Sequence, residues 1–485
     1  MMRRPRHRAG PGRVTALLVA VALVAASAAS CSSGSGDGEG GDTGAAEAAV
    51  TEDRSDEMTD VDRAAEAYVA GYPLLVSLRT MQRLGGLVGV NQLFWQNALS
   101  GPDQRFVVAP NRDTLYSIAV LDLRSEPMAL TLPEVDDRYY TYQLMDTWTE
   151  SFAYIGTRAT DGRAGTWLVT PPGWEGDVPE GVDVLESSTP LVFLLGRFLV
   201  EDEADIANVT AISRQATLQP LSALTGTDAP SPPPPLGDPV GTAQAIPTDA
   251  TFYDELGDAL AVNEPPTPAQ RETFARVEDL GVGPGEHPSE GATPDRRDVL
   301  DEGAQLGSTL IGEELVNRTS LVNGWGANLD VGLYGDDTLL RALVARIGWG
   351  ANVPEEAVYP VARVDADGAP LDGGSTYRIT FPEGELPPVD AFWSLSVYGG
   401  DMFFVEHPSG RYAIGDRTPD LSYGPDGSLE LVLSATEPAA PPGGGKVNWL
   451  PVPEGPFVLM LRLYLPGAEI LDGDYRYPPI ERVDP

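Results

Sequence analysis

The chain has one cysteine, Cys31, and three histidines, His7, His287 and His407, among its 485 residues. A single cysteine excludes a disulfide framework and any cysteine-based zinc site, and so few histidines exclude most histidine-rich metal chemistry. Positive charge is also scarce: 32 Lys and Arg stand against 72 Asp and Glu, a formal net charge of −40. A surface this acidic repels phosphate and cannot drive counterion release, which excludes nucleic acid as a partner. Beyond the first thirty residues no stretch approaches the ~18 uninterrupted apolar residues of a transmembrane helix. Catalytic signatures are missing as well. There is no H-E-x-x-H, no G-x-S-x-G and no G-x-x-x-x-G-K-[ST]. Gly443-Gly444-Gly445-Lys446 is followed by Val447 and reads as a loop.

What is present suggests two or three domains with real cores, since 42% of the residues are apolar. Gly (53) and Pro (44) make up about a fifth of the chain, which points to many turns and short strands. The N-terminus carries a basic start (Arg3, Arg4, Arg6, Arg8, Arg13), then an apolar run of 12 residues, Val14 to Ala25. That run is too short to span a bilayer as a stable helix. The small residues Ala26 to Ser30 then lead to Cys31. The pattern resembles a bacterial lipoprotein signal peptide over residues 1–30, with Cys31 as the lipidated residue; the alternative is an ordinary secretory signal cleaved near Ala29. It predicts an exported protein held by its lipidated N-terminus to the outer face of the bacterial cell membrane. Cleavage before Cys31 removes five arginines and no acids, taking the charge from −40 to −45. Residues 31–58, Gly-, Ser- and acid-rich, read as a flexible tether, and an acidic body on it stands off anionic headgroups.

Local patterns then alternate. Thr59 with Asp62 predicts a capped helix start, and apolar spacing carries that helix to Leu84 with a break near Gly71-Tyr72-Pro73. Short strands are predicted at Phe106–Val108, Leu115–Leu123, Tyr139–Met145, Phe152–Ile155, Trp167–Val169 and Val192–Leu195. Helices are predicted at Glu201–Gln215, Phe252–Leu260, Ala269–Val277, Arg296–Val316 and Asp336–Ile347. The proline run Ala229–Pro239 reads as an extended connector. Strands return at Tyr377–Phe381, Phe392–Tyr398, Arg411–Ile414, Leu429–Leu433 and Phe457–Tyr464. The expected class is mainly β with α segments: an N-terminal domain (59–225), a Pro-rich and helical connector (226–320) and a C-terminal domain (321–485).

Two series of residues carry a family resemblance. Pro110-Asn111-Arg112-Asp113-Thr114-Leu115-Tyr116-Ser117, then Arg138-Tyr139-Tyr140-Thr141-Tyr142-Gln143, Asp146 and Phe152-Ala153-Tyr154-Ile155-Gly156, are similar to the family catalogued as domain of unknown function 1254. Asn323-Gly324-Trp325, Glu355-Glu356-Ala357-Val358-Tyr359, Ala391-Phe392-Trp393-Ser394, Asn448-Trp449-Leu450-Pro451 and Arg462-Leu463-Tyr464 resemble its usual companion, domain of unknown function 1214. The resemblance implies two β-sandwich or jelly-roll-like domains in an exported bacterial protein, and implies no activity.

Candidate chemistry centres on Asn111, Asp113 and Tyr116, at the mouth of a strand, with Tyr140, Asp146, Trp148 and Glu150 on a later one. Asn and Asp at a strand start also cap turns through their own backbone. As a pocket, aromatics beside carboxylates suit a sugar-like or cationic small molecule. Two carboxylates across a cleft (Asp113 with Asp146 or Glu150) would suit general acid–base hydrolysis. The favoured reading is a protein that binds a small molecule or envelope component; the alternative is an exported carboxylate-dependent hydrolase. No cofactor or metal is implied beyond loose calcium, since Asp365-Ala366-Asp367-Gly368 starts like a calcium loop but has Thr376 at the twelfth position. His287 and His407 both precede prolines and read as turns. Trp393, Leu395 and Val397 should face a core and Phe392, Ser394, Ser396 and Tyr398 the opposite side. Arg462, alone among apolar neighbours, is expected to pair with an acid.

Overall fold

The computed structural model describes residues 58–103, 109–237, 245–318, 320–439 and 446–483. Cys31, the segment before it, nearly all of the tether, the strand expected at Phe106–Val108 and residues 238–244 of the proline-rich stretch lie outside the described residues.

The first helix, Asp60–Val88, begins with the capping box its sequence announces. The Thr59 hydroxyl accepts from the Asp62 N–H at 3.1 Å and the Asp62 carboxylate accepts from the Thr59 N–H at 3.1 Å. The expected break at Gly71-Tyr72-Pro73 does not occur, and the helix runs unbroken through Pro73. Proline removes one intrahelical hydrogen bond, but this helix is buried along most of its length from Ala64 to Leu84, and packing on several sides holds it helical.

A five-stranded antiparallel sheet follows, in the order Phe94–Trp95, Thr114–Asp122, Leu191–Leu199, Tyr140–Asp146, Ser151–Gly156. It is covered on both faces, which is why Leu191–Leu199 is buried at every position. Val192, Leu194 and Phe198 pack on a second, four-stranded sheet, while Leu191, Phe193 and Leu195 pack on helices. Those helices are Thr251–Leu260, Pro268–Ala275, Pro294–Asn317 and Thr338–Gly348, all packed against the first helix. The helical middle of the chain is therefore also a layer packed on the N-terminal sheet. An amphipathic helix needs an apolar partner, and the apolar sheet face of Ile118, Val120, Met145, Phe193 and Leu195 supplies one. The proline run is also docked. The carbonyls of Ser231, Pro234 and Leu236, free because polyproline has no internal hydrogen bonds, accept from Ser125, Arg124 and Gln82.

The C-terminal unit is a sandwich of a seven-stranded and a four-stranded sheet. Val389–Gly399 and Phe457–Pro466 pair antiparallel at the centre of the larger one. Trp393, Leu395 and Val397 enter the core between the sheets, as their alternation requires. The opposite face of that strand pair meets the N-terminal unit. Among the described residues no helix is long and apolar enough to cross a membrane.

Candidate functional site

The two β units meet along a polar seam. On the N-terminal side, the turn before Thr114–Asp122 is closed by Asn111, whose Oδ1 accepts from the Asp113 N–H at 2.6 Å. Two residues into the strand, Tyr116 is paired in register with Arg197, which is in turn paired with Thr141 of the neighbouring strand. Arg197 is 6% exposed. It donates to Gln143 Oε1 (3.0 Å), Asn352 Oδ1 (2.8 Å) and the Gly350 carbonyl (2.8 Å). On the C-terminal side, Ser394 is paired with Arg462 and Phe392 with Tyr464, on the face that their alternation turns away from the sandwich core. Arg462 is 2% exposed and donates to Ser396 Oγ (2.7 Å), Tyr398 Oη (2.6 Å) and the Ala109 carbonyl (3.0 Å).

Side chains cross the seam repeatedly. Asp113 accepts from Ser394 Oγ and from Arg417, each at 2.6 Å. Asn111 donates to Tyr464 Oη at 2.9 Å, and Tyr398 donates to the Pro110 carbonyl at 2.8 Å. Glu356 accepts from the Tyr139 hydroxyl and from Arg158, each at 2.7 Å. The ring of Tyr464 stacks on Phe392 with centroids 4.2 Å apart, and the Arg417 guanidinium lies 4.3 Å above that same Phe392 ring. Burial raises the Tyr116 phenol above its ordinary range, and burial raises those of Tyr139 and Tyr464 further, so all three are neutral hydrogen-bonding groups at physiological pH. Tyr116 and Tyr359 are each partly exposed.

Of the residues singled out from sequence, Asn111, Asp113 and Tyr116 come together here. The others do not join them. Tyr140 packs in the core between the two N-terminal sheets. Trp148 is fully buried under the helices, its indole N–H donating to the Glu264 carbonyl at 3.0 Å. Asp146 ends the strand that Tyr140 begins, so the two lie about 20 Å apart at ~3.3 Å per residue. It closes a turn by accepting from the Trp148 and Glu150 N–H groups, while Glu150 pairs with the buried Arg341 at 2.8 Å. Asp113 sits beside the Tyr140 end of the sheet, so it forms no carboxylate pair with Asp146 or Glu150. The Asp365 carboxylate accepts from the N–H groups of Asp367 and Ala369 as a turn cap. Among the described residues no cluster of His, Cys, Asp and Glu could hold a metal ion.

Arg462 also departs from expectation: among the described residues its hydrogen bonds go to neutral oxygens and not to an acid. Arg197, Asn352, Tyr359 and Tyr464 were not anticipated as site residues. A signal existed for the arginine, because Arg197 is the only charged residue in the strand Leu191–Leu199, just as Arg462 is in Phe457–Pro466.

Residues 90–220 match the model of a protein family of unknown function, DUF1254, and residues 356–468 match that of a second, DUF1214. No curated protein matches the chain. Among solved structures it is similar to the VPA0106 protein from Vibrio parahaemolyticus, at 26% identity and a TM-score of 0.68, over 88% of this chain and 100% of that one. An uncharacterized protein from Burkholderia cenocepacia matches at 14% identity and a TM-score of 0.43, over 88% of this chain and 94% of that one. Asn111, Asp113, Tyr116 and Arg197 fall within the first family region and Tyr359, Ser394, Arg462 and Tyr464 within the second, so the seam is where the two regions touch. The chain belongs to the two-domain family in which DUF1254 precedes DUF1214.

Proposed function

We propose that this protein is an exported, lipid-anchored binding protein whose small-molecule site is the seam between its two β units. One observation carries the reading: beside apolar contacts such as Tyr139 and Leu199 on Phe392 and Tyr464, the units meet through a set of buried polar and charged side chains, which interface cores are depleted in. Asn111, Arg197, Asn352 and Arg462 are each at least nine-tenths buried there, and Tyr116 and Tyr359 are partly exposed. Small-molecule sites combine aromatic side chains with a few precisely placed polar groups, and the seam holds both kinds. The carboxylates favour binding over hydrolysis, because Asp113 is held by Ser394 and Arg417 while Asp146 closes a turn at the far end of its strand.

The test is a thermal-shift screen of a metabolite library on the purified chain, repeated on Tyr116→Ala. A ligand that binds only the folded state raises its stability by mass action. Compounds that stabilise the wild type and lose that effect in Tyr116→Ala are the expected result. An empty screen, or shifts unchanged by Tyr116→Ala, would sink the seam as the site. The anchor rests on the placement of Cys31 after an apolar run and before a Gly/Ser tether. Cys31→Ser is expected to release the protein from the membrane fraction or leave an unprocessed precursor; normal processing with unchanged attachment would refute it.

A further inference from the structure

Arg197 and Arg462 are buried guanidinium groups, and arginine keeps its proton under all physiological conditions. A buried charge without a countercharge is among the most unfavourable arrangements a fold can hold. Among the described residues neither makes an ion pair, and the hydrogen-bond partners of both are neutral oxygens. The seam's three carboxylates are already engaged, Asp113 and Asp416 with Arg417 at 2.6 and 3.1 Å and Glu356 with Arg158 at 2.7 Å. Asp113 reaches Arg462 only through longer-range attraction. Four arginines (Arg158, Arg197, Arg417 and Arg462) against three carboxylates leave the seam with one positive charge in excess, inside a chain whose net charge is −40.

The hydrogen-bond inventory points the same way. Asn111 Oδ1 accepts from the Asp113 N–H, so it is the amide NH2 that faces Tyr464 Oη at 2.9 Å. Asn352 Oδ1 accepts from Arg197, so its NH2 faces Tyr359 Oη at 2.9 Å. Each phenol oxygen therefore receives a hydrogen bond from an amide whose orientation is fixed, and each keeps its own proton to donate elsewhere. Asn352 links the Tyr359 phenol to Arg197, at 2.9 and 2.8 Å, and the Tyr359 ring lies edge-on to that of Tyr464 with centroids 6.2 Å apart. Of the five N–H donors of a guanidinium, three on Arg197 reach Gln143, Asn352 and Gly350. The groups with capacity left are donors.

Resting on the seam as the binding site, we infer that its ligand carries a small oxyanion, a carboxylate or phosphate group, received by Arg197 and Arg462 with the hydroxyls of Tyr359 and Tyr464. An oxyanion brings acceptor oxygens and the missing negative charge together, and charge-assisted bonds to arginine are the strongest that such a group makes. A cation is repelled, and a neutral sugar leaves the charge uncompensated.

The test titrates the purified full-length chain with inorganic phosphate, succinate, glucose and choline chloride at matched ionic strength, read by thermal shift and calorimetry. Phosphate or succinate is expected to bind and stabilise, the two arms telling phosphate from carboxylate; glucose and choline are not. Arg197→Gln and Arg462→Gln are each expected to weaken anion binding at least about tenfold, the scale of a charge-assisted hydrogen bond. Arg163→Gln removes the same charge at an exposed surface pair with Asp183 and is expected to leave binding unchanged. Tyr359→Phe removes a single hydroxyl and serves if the arginine variants fail to fold; it is expected to weaken the anion several-fold with near-ultraviolet circular dichroism unchanged. No response to either anion, or a response that survives these seam substitutions, overturns the oxyanion assignment. A glucose or choline response that the same substitutions abolish overturns the assignment and leaves the seam as the binding site.

Discussion

Asp146 ends its strand inside the protein, where Oδ1 accepts from the Trp148 and Glu150 N–H groups and Oδ2 from the Ser188 hydroxyl. Burial pushes its carboxyl up to about 6; Ser188, the Glu150 N–H and Arg341 oppose the rise, and the Glu150 carboxylate adds to it. Because the folded value stands above the unfolded one, the protonated acid is the form the fold favours. Its contribution is complete below the unfolded value and is lost as pH rises through about 6. The difference is worth on the order of 2–3 kcal/mol. Asp146→Asn keeps an acceptor oxygen and cannot ionise. Between about pH 4 and about pH 7 the wild type is expected to lose that much stability relative to the variant. Denaturant unfolding at the two pH values measures it, and parallel profiles would show that Asp146 does not titrate in this range. Asp146 was legible in the sequence as a polar residue at a strand end. Its duty was not, because the partners that make it a turn closure include Ser188, 42 residues away.

At the scale of elements, the helix Pro294–Asn317 illustrates how two helices come close. A Cβ at Gly303 would lie 2.4 Å from the Ala64 Cβ of the first helix, and one at Gly307 2.7 Å from Tyr68 Cδ1. Gly312 on the same helix is exposed, its nearest neighbour being Arg346 Nη1 at 3.7 Å. Glycine costs a helix interior about 1 kcal/mol relative to alanine, so the two sites should respond with opposite sign. Gly312→Ala is expected to stabilise by about 0.5–1 kcal/mol. Gly303→Ala is expected to destabilise by about 1–3 kcal/mol, the range for overpacking a close contact. Chemical denaturation of both variants measures the pair, and stabilisation by Gly303→Ala would mean the helices are not packed at that distance. Periodicity identified this helix. That it lies on the first one was signalled only by two glycines four residues apart, an expense that local propensity leaves unexplained.

For the whole molecule, the helices beyond residue 250 cover the sheet face formed by Ile118, Val120, Met145, Phe193 and Leu195. Cutting the chain between residues 237 and 245 at an engineered protease site is therefore expected to give two bands on a denaturing gel and one particle of unchanged size by gel filtration. Residues 59–225 made alone leave that apolar face uncovered and are expected to aggregate. Independent migration of the two cut pieces, or a soluble monomeric 59–225, would show that the middle helices do not hold that face.

Local sequence by itself determined the elements and their order. The capping box at Thr59, the alternation that sends Trp393, Leu395 and Val397 into a core, and the block of strands on either side of a helical middle all depend on near neighbours along the chain. Only the tertiary structure decided what meets what. Asn111 finds Tyr464 across 353 residues, and Ser394 finds Asp113 across 281. Arg462, which its own strand marks as unusual, finds neutral oxygens in an acidic protein because the nearby carboxylates are held by other arginines. Periodicity records which face of a strand is buried; the chemistry of that face depends on a partner strand whose arrival no local pattern encodes.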